Sequence, residues 1–158
     1  MKVFFFLILL LNFSDLSACS CATLTKLTKE EIISANNVFI GKVVSVDSFD
    51  NTSRKVIFQI SERLKTDSLL QITIYTGKGG ADCGLSIKEG EKWYIFTYSY
   101  NNHSWASLCG RSALLSEHSI SPNSINHKYH RLAVRNYKRN KHRAESEIQF
   151  IRKTSNSL

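Results

Sequence analysis

Two cysteines separated by one residue, Cys19 and Cys21, follow an apolar leader, and the other two, Cys83 and Cys109, lie far down the chain. A bridge between Cys19 and Cys21 would close a tiny strained ring. Both are therefore expected to pair with Cys83 and Cys109, in one order or the other, out of the three connectivities that four cysteines allow. Either order stitches the start of the domain to its middle and its end. Loops this long stabilise by roughly 4 kcal/mol each in the chain-entropy picture, less any strain in the folded bridge.

The leader explains why disulfides are expected at all. Lys2 precedes the unbroken apolar run V-F-F-F-L-I-L-L-L over residues 3–11, and Leu16-Ser17-Ala18 precedes Cys19. A basic start, a short apolar stretch and a small residue before the cut describe a secretory signal. The run falls short of the roughly 20 apolar residues that a membrane span needs. Residues 1–18 are thus expected to be removed after Ala18, leaving Cys19 as the first residue of an exported, secreted or periplasmic product. Leu16-Ser17-Ala18-Cys19 also fits a bacterial lipoprotein signal, in which Cys19 is lipidated and the product sits at a membrane surface. Lipidation would leave three cysteines, an odd number for an oxidising compartment.

With 158 residues, 42% of them hydrophobic, the chain is long enough for one ordinary domain and too apolar for wholesale disorder. Thr28-Lys29-Glu30-Glu31 has capping-box spacing, so a short helix over about 29–36 is expected. Runs rich in β-branched and aromatic residues follow at 38–46, 55–60, 70–75 and 92–100, with a shorter one at 104–109. Residues 47–53 read as a turn and 76–82 as a glycine-rich loop. Five strands at short spacing with one small helix indicate a mainly β protein, a closed or nearly closed antiparallel barrel. The expected organisation is signal peptide 1–18, barrel domain 19–118 and basic C-terminal extension 119–158.

The net charge of +8 is concentrated in that extension. From His118 onward there are nine Lys or Arg against Glu145 and Glu147. Ile125, Tyr129 and Leu132 recur at helical spacing, with Arg131, Arg135 and Lys138 on another face. The extension is expected to be a partly helical, solvated tail. A basic stripe of this kind is also suited to anionic lipid or nucleic acid.

Nothing in the sequence argues for an enzyme, and no cofactor or resident metal is expected. Gly77-Lys78-Gly79-Gly80 lacks the hydroxyl residue that a phosphate loop places after lysine. His127 and His130 lie three apart, but no Cys or carboxylate joins them at ligand spacing. His103 and His118 stand outside any nucleophile arrangement, and four bridged cysteines leave no thiolate. The start of the expected product is more informative. A first residue held by bridges on both sides of Ser20 presents a rigid α-amine and carbonyl oxygen. These two atoms can close a five-membered chelate on a metal ion held by another protein. A catalytic zinc keeps one position open for water or substrate, which such an end can occupy. Rigidity limits the entropy lost on docking.

C-S-C at the expected terminus resembles the inhibitory domain of tissue inhibitors of metalloproteinases, within the wider netrin-like group. The stretch E-I-I-S-A-N-N-V-F-I-G-K-V-V over 31–44 is similar to that family's opening helix and first strand. Cys83-Gly84, G-E-K-W-Y-I-F over 90–96 and W-A-S-L-C over 105–109 are similar to its later half. The resemblance spans roughly 100 residues, from Cys19 to Leu115, and concerns the bare module, as in bacterial single-module relatives. It implies a five-stranded oligonucleotide/oligosaccharide-binding-type barrel, and bridges Cys19–Cys83 and Cys21–Cys109. It further implies a monomer that inhibits a zinc metalloprotease. The amine and carbonyl of Cys19 would cap the target's zinc, and Ser20 would enter the adjoining specificity pocket. Cys21, Ala81, Asp82 and Cys83 would form the contact ridge, with the 47–53 hairpin beside it.

Overall fold

The computed structural model describes residues 19–67, 70–79, 82–116 and 127–155. The expected signal peptide, and with it the cut after Ala18, lies outside the described residues. The elements run α1 (Lys29–Ser34), β1 (Val38–Ser48), β2 (Ser53–Lys65), β3 (Gln71–Gly77), β4 (Lys92–Phe96), β5 (Tyr98–Tyr100), β6 (His103–Trp105), β7 (Ala113–Leu114) and α2 (His127–Ser155). The protein is mainly β, a single curled sheet in the order β5-β6-β3-β2-β1-β4-β7 with a long C-terminal helix.

The sheet has seven strands where the sequence pattern indicates five. The aromatic run over 92–100 is two strands, broken at Thr97. Thr97 is fully buried, and its N–H donates to the Asn37 carbonyl at 2.9 Å while its hydroxyl accepts from the Asn37 N–H at 2.9 Å. Its backbone is therefore committed to the Asn36–Asn37 link between α1 and β1, where the β1–β4 pairing ends. That break has a topological consequence. β4 pairs with β1, whereas β5 pairs with β6 at the far edge. One residue thus links strands near opposite ends of the sheet order, which a flat sheet would hold far apart, so the sheet curls into a half-barrel. Pairing is antiparallel throughout except between β3 and β6, which run parallel, a departure from the wholly antiparallel expectation.

Alternation along the strands feeds two cores. Phe39, Val43, Val56, Phe58, Ile74, Trp93 and Ile95 point to the inside of the curl, with Leu85 and Ile87 plugging it. Val38, Ile40 and Tyr94 point outward, against Ile32 of α1 and Ala144, Ile148 and Ile151 of α2. The capping box at α1 is present: Thr28 accepts from the Glu31 N–H and Glu31 accepts from the Thr28 N–H.

The C-terminal part is not a solvated tail. The face of α2 that docks is Ala144, Ile148 and Ile151, a different stripe from the one Leu132 suggests, since Leu132 is half exposed. The apolar spacing around Leu132 lies where the cations of the helix are densest, and the buried stripe begins about three turns further on. Arg152 forks both oxygens of Glu62 on β2 at 2.7 Å. The tightest tie is Arg111, nearly fully buried, whose guanidinium contacts Glu147 of α2 at 2.6 Å, Glu31 of α1 at 2.8 Å and the Thr25 carbonyl at 3.1 Å. Arg143 donates to the same Glu147 oxygen at 2.9 Å and to the Arg111 carbonyl at 3.1 Å. Burial first, and then the negative charge of Glu147, push the Tyr94 hydroxyl far above its ordinary pKa. No helix among the described residues is long and apolar enough to cross a membrane.

If α2 is part of the fold, Ile151→Ala should cost roughly 2–5 kcal/mol in urea denaturation. Leu132→Ala should change it by less than about 0.5 kcal/mol. Equal, negligible effects would return the helix to the status of a tail.

Candidate functional site

Cys19 bridges Cys83 and Cys21 bridges Cys109, closing spans of 64 and 88 residues. The two bridges touch, with the Cys19 sulfur 3.6 Å from that of Cys109 and 4.0 Å from that of Cys21. Bridged sulfurs have no thiol proton, so these are van der Waals contacts. The sulfurs of Cys19, Cys83 and Cys109 lie within 4.8 Å of one another. None is a thiolate while bridged, so the group is a staple and not a metal site. Ser20, between the bridges, is exposed.

The seat for this staple is the turn before β4. Cys83 has φ 56°, a left-handed conformation that costs a non-glycine residue free energy. Its neighbours hold it there. A Cβ on Gly84 would come within 2.2 Å of the Gly77 carbonyl carbon, so the two glycine backbones lie against each other with no room for a side chain. The Leu108 N–H donates to the Cys83 carbonyl at 2.7 Å. Asp82 accepts N–H bonds from Lys78 at 2.6 Å and from Gly79 and Gly84 at 2.9 Å. The Gly84 N–H, foremost among these, holds the carboxyl below its usual range. Asp82 is therefore the internal clamp of this loop as well as an exposed neighbour of the bridge. Ala81 lies outside the described residues.

The turn over 47–53 closes the β1–β2 hairpin beside this loop. Asp50 accepts from the Thr52 and Ser53 N–H groups at 2.7 Å and from the Thr52 hydroxyl at 2.9 Å. The Ser53 side chain and the Thr52 donors hold its carboxyl down to about 2. Between hairpin and loop opens a cavity of ≈ 520 Å³ lined by Phe49, Asp50, Asp82, Cys83, Tyr100, His103 and Trp105, among others. His103, unassigned by the sequence, sits with its ring 4.4 Å from Tyr75 and 5.9 Å from Phe49. His127 and His130 open α2, and His118 is outside the described residues.

The sequence pattern does not reveal this aromatic cavity. Its lining rings come from the hairpin, β5 and β6, and only the curl gathers them. The D-C-G triplet at 82–84 is the local sign of the clamped turn, a capping carboxylate two residues before a glycine. The two bridges are compatible with an extracellular or periplasmic location. No protein-family model and no curated protein matches the chain.

Asp50 is ionised above the unfolded aspartate value near ~3.9 and stays so in the fold until about 2. Its support for the hairpin is present above the first value and is lost as pH falls through the second. The Thr52 and Ser53 amide resonances should accordingly hold steady on acidification to pH 3 and move with a midpoint near ~2. A midpoint near ~4 would mean that these bonds to Asp50 do not persist in solution.

Proposed function

We propose that the exported product, beginning at Cys19, inhibits zinc metalloproteases by capping the catalytic zinc with its own first residue. The observation that carries this reading is the double bridge. Cys19 and Cys21 are each tied to a distant part of the fold, and the two disulfides pack against each other. Once residues 1–18 are removed, the α-amine and carbonyl oxygen of Cys19 form the chelating pair, held stiff by the staple. Ser20, exposed between the bridges, enters the specificity pocket. Cys21, Asp82 and Cys83 supply the flanking ridge. The fold compatible with this role is the family's closed five-stranded barrel, for which the curled sheet is the coarser match. A lipid on Cys19 would block the amine and leave a surface-anchored binding module without inhibition.

The measurement is inhibition of a panel of zinc endopeptidases by protein that starts at Cys19. A single alanine added before Cys19, or acetylation of the terminal amine, should weaken inhibition by about a hundredfold or more. The inhibition constant should also rise as pH falls below the ordinary α-amine pKa of ~8, because only the neutral amine binds metal. Inhibition indifferent to acetylation would overturn the zinc-capping mechanism.

A further inference from the structure

The cavity beside Cys83 carries a second reading that is independent of the terminal amine. Its rings are not coplanar. Tyr75 stacks behind His103 and Trp105, tilted by only 35° and 34° from them, and these two lining rings form a shallow floor. Phe49 stands at 69° to Tyr75 and 79° to His103, and Tyr100 stands at 81° to Trp105. Two rings thus rise as walls at the ends of the floor. Phe49 and Tyr100 are about half exposed, so the trough faces solvent.

Charge gives the trough a sign. Asp50 and Asp82 lie on its rim, and no Lys or Arg is among the described residues that line it. In a protein with net charge +8, this is a local reversal. Both carboxyl groups are held below their usual range by hydrogen bonds within their own loops, and so stay ionised at neutral pH. Neither carboxylate has a cationic side chain within ion-pair distance among the described residues.

We propose that this trough binds an organic cation, an alkylammonium or guanidinium group. Aromatic faces attract cations through their quadrupole, and rings that close from several directions suit a compact charged head better than an extended flat ligand. A carboxylate at the rim adds Coulomb attraction without having to be desolvated. A cavity of ≈ 520 Å³ accommodates a quaternary ammonium head or the end of a lysine or arginine side chain. The cation can thus belong to a small molecule or to a partner protein, and the chemistry is the same.

The test uses the full oxidised protein, titrated with choline, Nα-acetyl-lysine amide and Nα-acetyl-arginine amide and followed by the indole resonance of Trp105. Neohexanol, the uncharged isostere of choline, and a methyl glucoside serve as controls. Saturable binding of at least one cation, at least tenfold tighter than either control, is expected. Preference for choline would indicate a small quaternary ligand, and preference for the amino-acid amides a basic side chain of a partner. Tyr100→Ala removes a wall, and Asp50→Asn removes the charge while keeping an acceptor for the hairpin. Each should weaken cation binding at least fivefold with the circular dichroism unchanged. Equal binding of neohexanol, binding of the glucoside alone, no binding, or binding untouched by both substitutions would overturn the proposal. Because none of these readouts involves a protease, failure here leaves the zinc-capping reading standing, and the reverse also holds.

Discussion

A single buried guanidinium joins the parts of this molecule that the chain order keeps apart. Arg111 lies two residues after Cys109, and its donors reach Thr25 in the strap of residues 19–28, Glu31 in the first turn of α1 and Glu147 of α2. Burying an arginine costs several kcal/mol unless it is paired and hydrogen-bonded, and here both carboxylates are in contact. Removing one partner would strand a charge in the interior. The strap that carries Cys21, the helix that follows it and the C-terminal helix are therefore fixed relative to the sheet by one set of electrostatic demands.

The other end of the strap is fixed by covalent bonds and by shape. Two touching disulfides can sit against the sheet only because the chain at Cys83 turns through a left-handed conformation. That turn in turn depends on Gly77 and Gly84 meeting backbone to backbone and on Asp82 gathering three N–H groups. Stiffness at Cys19 is thus a property of the β3–β4 connection as much as of the bridges. It is also what brings the Cys83 loop level with the 47–53 hairpin, and so opens the aromatic trough between them.

Local chemistry was legible in the sequence where neighbours in the chain are also partners in space. The Thr28–Glu31 capping box and the turn around Asp50 answer to contacts within a few residues, and the strands β1 to β3 show themselves by alternation along the chain. The docking of α2 was not legible. Its buried stripe, Ala144, Ile148 and Ile151, is short, interrupted by Glu147 and surrounded by cations. By local pattern it looks solvated, and the partner of Glu147, Arg111, is 36 residues away. Likewise the run over 92–100 reads as one strand because its residues all favour strands. Only the hydrogen bonds of Thr97 to Asn37, 60 residues distant, show where it must break.

The sequence alone determined the four cysteines, the leader before them, the apolar alternation of a mainly β chain and the excess of cations after His118, because composition and short-range periodicity are properties of the chain itself. Tertiary structure decided which sulfurs meet, that the sheet has seven strands and curls, that α2 is part of the core, and that rings from three separate elements line one acidic cavity. Those outcomes depend on contacts between residues tens of positions apart, and it is the closing of long loops by burial and covalent bonds, not local preference, that selects them.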